Sequence, residues 1–322
     1  MTGRKSSSRK RLRKAFDASP DDSHPRSKSR HQDMSATIIE VALNGPWTRK
    51  HQPKIPVAAD EIVSEAIVCC KAGASVVHFH AYDAKTGDQT TDVALIESII
   101  AGIRDEVDAL VYPAIRYMSN AEAIHASSGW RRYEHLAALG RGRKLDWLIV
   151  DPGSTNLVRY SDTSLEDAVV DINSPAAIKH GLNIAAEYGL NPTMAIYDPG
   201  YLRLAHHLVG RTTRLKTPMY RFMFSEQLTF GFPPRSYALR AYLELYRELA
   251  ISAPWMVAGL GTNVLPIVAE AVVMGGHVRA GLEDFDLGTE TGNLALVEAT
   301  AKAIEAAGGK VASTAEARRI LA

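Results

Sequence analysis

Val76-Val77-His78-Phe79-His80 is the stretch on which the fold turns. It is short, rich in β-branched and aromatic residues, and so has the composition of a strand. On either side lie runs of helical period, Asp60–Lys71 and Asp92–Glu106, and Gly73 stands just past the first as a stop. In Ala58-Ala59-Asp60-Glu61, Asp60 is the expected N-cap and Glu61 the acid at the favourable end of the dipole. Further outward the pattern repeats. Strands are predicted at Thr37–Leu43, Ser75–His80, Ala109–Ala114, Trp147–Val150, Thr193–Tyr197, Met219–Phe224, Trp255–Ala258 and His277–Leu282. Helices are predicted between and after them, at Asn120–Ala138, Ala176–Tyr188, Tyr201–Val209, Arg235–Leu249, Val264–Met274 and Asn293–Ala306, with further stops at Gly189 and Gly308. Eight strand–helix units over about 270 residues point to an α/β fold of the (β/α)₈ TIM-barrel type. A doubly wound sheet is the runner-up, but no Gly-rich dinucleotide turn follows the first strand.

Successive side chains of a strand point to opposite faces, so His78 and His80 look the same way. Their Cα atoms then lie roughly 6.5–7 Å apart, and both imidazoles can reach one metal ion. Taken alone the pair reads equally as two satisfied barrel histidines. The strand count favours ligands. His78 and His80 end the second strand, and Glu283, in Gly275-Gly276-His277-Val278-Arg279-Ala280-Gly281-Leu282-Glu283-Asp284, follows the eighth. Alternate strands of a barrel fill the same interior layers, and active sites sit at the C-terminal strand ends. Two His and a Glu converging there, with one coordination position open, is the donor set of catalytic zinc. Glu283 is therefore the candidate third ligand.

Composition narrows the class. The chain has 322 residues, 46% of them hydrophobic, enough for one large domain. No stretch approaches the roughly 18 apolar residues of a membrane span, and no apolar signal region follows the basic N-terminus. Cys69 and Cys70, the only cysteines, are adjacent in a predicted helix. They fit neither a disulfide framework nor a Cys-rich zinc site, and the expected location is the reducing cytoplasm. The net charge of +1 is unevenly spread: residues 1–33 carry ten Lys/Arg against four Asp, and the rest 27 basic against 32 acidic residues. A disordered basic tail over 1–33 and a TIM-barrel catalytic domain over 34–322 are expected. The tail reads as an inert solvated arm, as residues ahead of a true start at Met34, or as an address or nucleic-acid-binding arm. The domain itself shows no basic stripe, so nucleic acid is not an expected partner of it.

Several segments resemble the β-keto acid cleavage enzymes, the family named for 3-keto-5-aminohexanoate cleavage. They are Ala42-Leu43-Asn44-Gly45 with Pro53-x-Ile55-Pro56-Val57, then Ala72-Gly73-Ala74 with the His pair, and Trp255-x-Val257-Ala258-Gly259-Leu260-Gly261. The segment from Gly275 to Asp284 is the most specific, and Ala312-x-Thr314-x-Glu316-Ala317-Arg318-x-Ile320-Leu321 supports it. The resemblance runs from about Ile38 to Leu321. It implies condensation of a β-keto acid with acetyl-CoA as co-substrate, giving acetoacetate and a new acyl-CoA. It also implies zinc held by His78, His80 and Glu283, polarising the substrate carbonyl as a Lewis acid. Asp284 would be the base that takes a methyl proton from acetyl-CoA, and Arg279 would position it. The bland reading of Arg279 and Asp284 is a structural ion pair. A homo-oligomer is expected.

Departures from the family pattern bear on the substrate. The Ser-Thr-Gly turn common after the third strand is replaced by Tyr112-Pro113-Ala114-Ile115-Arg116-Tyr117, and the Pro-Glu-x-Glu of the fifth strand by Pro192-Thr193-Met194-Ala195. Trp47 stands where aminohexanoate-cleaving members place a Glu. Losing a carboxylate and gaining an indole favours an apolar or aromatic substrate end, while Arg49, Lys50 and Arg116 favour an anion. Asn44, Trp47, Arg49 and Arg116 are the candidate substrate-binding residues. Gly259 and Gly261 are candidates for contact with CoA, since barrels often bind phosphate after the seventh strand; a tight strand-to-helix turn explains them as well. His125, His135, His180, His206 and His207 read as surface or capping histidines. Two other functions compete. A metal-dependent barrel hydrolase would place His-x-His on the first strand and more histidines on the fifth and sixth, where this chain has none. A non-catalytic metal-binding relative would keep the fold and lose turnover.

Overall fold

The computed structural model describes residues 36–116, 129–165 and 168–322. Strands β1 (Ile39–Ala42), β2 (Val76–Phe79), β3 (Leu110–Pro113), β4 (Trp147–Val150), β7 (Asn191–Ile196), β8 (Met219–Phe224), β9 (Trp255–Gly259) and β10 (His277–Ala280) form one parallel sheet. Its order is β3-β2-β1-β10-β9-β8-β7-β4. The two end strands pack side by side, so the sheet curls into a nearly closed barrel. At that seam the rings of Tyr112 and Trp147 stack with centroids 5.6 Å apart. The eight strands match the sequence expectation, with Trp147–Val150 and Met219–Phe224 falling on their predicted bounds.

The helices α1 (Ala59–Lys71), α2 (Val93–Glu106), α3 (Glu134–Arg141), α4 (Pro175–Tyr188), α5 (Pro199–Val209), α6 (Ser236–Glu248), α7 (Leu265–Val273) and α8 (Asn293–Ala306) alternate with them, and α9 (Thr314–Ile320) closes the described chain. Each turns an apolar stripe to the sheet, as Ile96, Ile99, Ile100 and Ile103 of α2 show at i, i+3, i+4 and i+7. The core is this shell between strands and helices.

Four local expectations need correction. Asp60 is not the N-cap of α1. The helix begins one residue earlier with Ala58 as N-cap, and Glu61 reaches back to accept from the backbone N–H of Val57 and Ala58. That carboxylate satisfies two orphan donors at once, a stronger solution than a single cap. The helix expected at Asn120–Ala138 lies partly outside the described residues; within them a 3₁₀ turn, Gly129–Tyr133, leads into α3, which continues to Arg141. A hairpin of β5 (Thr155–Leu157) and β6 (Val169–Asp171) follows β4 and had no counterpart in the prediction. His135 is buried rather than superficial, its Nε2 bonded to the Ala114 carbonyl at 2.9 Å.

Among the described residues no helix is long and apolar enough to cross a membrane. The segment 1–33 lies outside the described residues.

Candidate active site and metal centre

The barrel interior carries charge at its C-terminal end. His78 and His80, at the end of β2, converge with Glu283, three residues past β10. His78 Nε2 lies 3.3 Å from Glu283 Oε2, and His80 Nε2 lies 3.7 Å from Glu283 Oε1. One ligand atom from each of the three lies within 4.8 Å of the others, and among the described residues no other such group occurs. Two donors each about 2.0–2.1 Å from a tetrahedral ion stand about 3.3–3.4 Å apart. The His78–Glu283 separation is already that distance.

The chemistry of the donors fits a cation. Burial, opposed by the Glu283 charge, pushes the His78 imidazole well below its ordinary pKa, which leaves it neutral with a free lone pair. Burial raises the Glu283 carboxyl, but Arg279 and then the two histidines outweigh it and hold it well below the usual range. His80 Nδ1 pairs with Gln89 Oε1 at 2.6 Å, which turns Nε2 to the triad. That outer hydrogen bond is the usual device for orienting a ligating imidazole. Glu283 Oε1 lies 2.7 Å from Arg279 Nη2, whereas the buried Oε2 has no hydrogen-bond partner. A buried carboxylate oxygen without a donor is costly; a metal ion at the triad would satisfy it.

The backbone around the triad is held by side chains the motif reading assigned differently. Asn44, expected to meet substrate, is fully buried: its Nδ2 donates to the carbonyls of Pro56 and His80, and its Oδ1 accepts from the His80 N–H. Trp47 faces the cavity, and its indole N–H donates to the Glu283 carbonyl at 2.8 Å. Gly45 has φ +64°, and a Cβ there would meet Glu283 Cγ at 2.5 Å, so only glycine lets β1 turn beneath the ligand. Gly281, with φ +133°, would bring a Cβ to 2.2 Å from the Ala42 carbonyl, which explains the last glycine of the Gly275–Asp284 motif.

Below the triad lies a buried ion network. Glu40 Oε1 accepts from Tyr112 Oη at 2.5 Å, Arg221 Nη1 at 3.1 Å and Arg279 Nη1 at 3.2 Å. Arg279 also holds Asp284 through Nε and Nη2, at 2.8 and 2.7 Å. Burial, only partly offset by Arg279, raises the Asp284 carboxyl to about 6. Sequence reasoning missed Glu40, Tyr112 and Arg221. Charged residues at 40 and 221 inside otherwise apolar strands were the available signal, since such residues are almost never buried unpaired.

A cavity of about 270 Å³ opens onto the triad, lined by His78, His80, Arg279 and Glu283 and by Trp47, Ile115, Ile149, Leu157, Met223 and Leu228 among others. Asp284 does not line it and stands behind Arg279, against a smaller recess by α7. Arg116 lines an adjoining recess of about 430 Å³ that shares Pro46, His80, Gln89, Ala114 and Ile115 with the first. Arg49 faces neither; it pairs with Glu61 at 2.6 Å. Gly259 and Gly261 are likewise absent from the walls, and Leu260 between them is present. Their turn is tied by Thr262 N–H to the Asp284 carbonyl and by Asn263 Oδ1 to the Leu265 N–H.

The chain is 26% identical over 295 residues to a 3-keto-5-aminohexanoate cleavage enzyme of Fusobacterium nucleatum, covering 89% of this chain and 98% of that one. It is 27% identical to a 3-oxoadipate:acetyl-CoA acetyltransferase of Cupriavidus necator (88% and 94% covered) and 25% identical to a 3-dehydrocarnitine:acetyl-CoA trimethylamine transferase of Rhizobium meliloti (88% and 95%). In fold it is similar to the apo structure of ObcA, with a TM-score of 0.63 at 14% identity over 84% of this chain and 65% of that one. The model of the beta-keto acid cleavage enzyme family matches residues 36–322, and the chain belongs to that family.

Proposed function

We propose that this protein condenses a β-keto acid with acetyl-CoA to release acetoacetate and a new acyl-CoA, with zinc at His78, His80 and Glu283. The observation that carries the reading is the triad: the imidazoles of His78 and His80 and the Glu283 carboxylate, with one ligand atom of each within 4.8 Å of the others, opening on a cavity at the C-terminal end of the barrel. The names of the relatives, acetyl-CoA transferases of several keto acids, support the reaction type. Zinc, when bound, would polarise the keto oxygen and acidify the carbon beside it.

Atom balance corrects one expected step. In acetoacetate the acetyl group is bonded to the carbon that lay between the keto and carboxylate groups of the substrate, C2. The proton to be removed is therefore at C2, not on the acetyl methyl. Arg279, facing the cavity with its charge held by Glu40, Glu283 and Asp284, is placed to bind an anionic substrate oxygen. Asp284 positions Arg279 and would reach substrate only by releasing it.

The walls favour an uncharged, apolar acyl end. Trp47, Ile115, Ile149, Leu157, Met223 and Leu228 line the cavity, while Arg49 is turned away. The cavity has room for a short keto acid and the acetyl end of the thioester, so the remainder of CoA lies outside it. The free thiols of Cys69 and Cys70 fit a reducing cytosol.

The test is a panel of β-keto acids with apolar, anionic and cationic acyl ends, each incubated with acetyl-CoA and zinc-loaded protein and assayed for acetoacetate. Turnover is expected with apolar ends. Zinc bound at one per chain with no acetoacetate from any substrate would overturn the reaction and leave a metal-binding relative.

A further inference from the structure

Arg221 stands on β8, 1% exposed, and lines the cavity that opens on the triad. Its bonds run through a single nitrogen: Nη1 donates to Glu40 Oε1 at 3.1 Å and to Tyr112 Oη at 3.0 Å. Nε is enclosed and has no partner. Nη2 bonds to no described residue and is not enclosed, so it is the nitrogen that Arg221 presents to the cavity. This is a poor arrangement for neutralising Glu40. A guanidinium that serves a carboxylate takes both oxygens with its fork, as Arg279 does with Asp284 through Nε and Nη2. Arg221 instead crowds onto Oε1, which Tyr112 and Arg279 already hold, while Glu40 Oε2 has no hydrogen-bond partner. The two arginines therefore differ. Every nitrogen of Arg279 carries a bond to Glu40, Glu283 or Asp284, so its fork is spent within the protein. Arg221 keeps an open edge.

We propose that Arg221 is a further substrate-binding residue of this site, the guanidinium that holds the carboxylate of the β-keto acid. This rests on the reading above that such an acid is the substrate. Position supports it. Arg221 Nη1 bonds the hydroxyl of Tyr112, whose ring packs on that of His78 with centroids 4.6 Å apart, so the guanidinium stands one side chain away from the triad. In a β-keto acid a single carbon separates the carboxylate from the keto carbonyl. A substrate with its keto oxygen at the triad therefore keeps its carboxylate close by, where Arg221 stands, and leaves its acyl end for the apolar lining.

Charge supports it as well. With a divalent ion at the triad, the ion and the two guanidiniums outweigh Glu40, Glu283 and Asp284, so the cavity floor favours an anion. The planar fork of a guanidinium is the side-chain group that best matches a carboxylate. Burial strengthens the pairing, because the competing water is excluded.

The decisive experiment titrates the zinc-loaded full chain with acetoacetate and, separately, with acetoacetamide by calorimetry, in wild type, Arg221→Gln and Arg221→Lys. Zinc content and thermal unfolding are measured on the same samples. The amide keeps the size and the keto group of the acid and removes its charge. Wild type should bind the acid more tightly. Arg221→Gln should lose about 10- to 100-fold in affinity for the acid, the worth of hydrogen bonds to a charged group, and little for the amide. In turnover KM for the best keto acid should rise by a similar factor with kcat changed little, since the carboxylate is charged before and after the reaction. An acid preference that survives in Arg221→Gln overturns the proposal, as does a wild type that binds acetoacetate no better than acetoacetamide. Equal losses for acid and amide, or a fall in kcat at unchanged KM, overturn it too, by giving Arg221 another role. If Arg221→Gln does not fold, Arg221→Lys decides. It keeps a charge opposite Glu40 and gives up the fork, so the acid preference should fall about 10-fold; a full preference overturns the proposal. Failure of the cleavage reading shows separately, as a wild type that prefers the acid and yet forms no acetoacetate from any keto acid.

Discussion

Replacing Asn44 by alanine separates the two roles open to it, substrate contact and support of the metal site. Three hydrogen bonds vanish: those to the Pro56 and His80 carbonyls, both 2.9 Å, and that from the His80 N–H, 2.8 Å. All three involve backbone groups at a residue with no solvent exposure, so water does not replace the amide. At the low end of the penalty for a buried unsatisfied group, about 1 kcal/mol each, the loss is about 3 kcal/mol. For a domain of this size that is about 5 °C in Tm. Because His80 is held at both its N–H and its carbonyl, its imidazole should lose its aim as well, and zinc affinity should fall about 10- to 100-fold, as for other supporting groups around a metal. Thermal and denaturant unfolding, with zinc titration of the chelated protein, measure both. If Asn44→Ala raises KM while Tm and zinc affinity stay at wild-type values, the amide meets substrate and the reasoning fails.

The remaining predictions concern charge. The double variant His78→Ala with His80→Ala, and separately Glu283→Gln, should not retain zinc through gel filtration; full metal content in either places the ion elsewhere. Asp284→Asn should keep zinc and lose rate mainly through disordered Arg279, so KM should rise; a 10²–10⁴-fold fall in kcat with KM unchanged would restore Asp284 as the base. Folding stability of wild type relative to Asp151→Asn should fall as pH rises from about 4 to about 7. Over that window the folded carboxyl, raised to about 7, still holds a proton that the unfolded chain, at the ordinary 3.8, has released. A difference independent of pH would contradict the raised value.

The parts of this fold legible in the sequence are those with a long period or a long run. Eight buried strands read as apolar runs and seven of the eight barrel helices lie wholly within the described residues near their predicted bounds, because burial on both faces of a parallel strand leaves no ambiguity of register. The hairpin Thr155–Leu157 with Val169–Asp171 was invisible, since three-residue strands have no period to detect. Helix α9 has a start signal in the sequence, since Ser313 and Glu316 stand at capping-box spacing and form that box in the structure. The metal triad followed from strand parity. Glu40, Arg221 and Asp151 did not, because a single charge inside or just after an apolar run looks the same whether it ends in a network, a cavity or solvent.

That buried charge also bears on the choice between an enzyme and a binding relative. Glu40, Arg221 and Arg279 are essentially without solvent exposure, and Asp284 is nearly so. Replacing a buried ion network by well-packed apolar residues is often neutral or stabilising, so stability alone gives a barrel little reason to keep one. Holding a metal does not require it either, since among the described residues Arg279 is the one charged member of the network that pairs with a ligand of the triad. What the network does provide is an arginine fixed at the cavity floor, its charge shared among Glu40, Glu283 and Asp284 and its position set from β1 and β10 together. Preorganised charge where negative charge develops is the largest single contribution to many enzymatic rates. A relative that had lost turnover would be free to lose this array first, and here it is intact beneath a cavity whose family carboxylate on the fifth strand is gone. The pattern supports a site that has changed its substrate wall while keeping the machinery for an anionic intermediate.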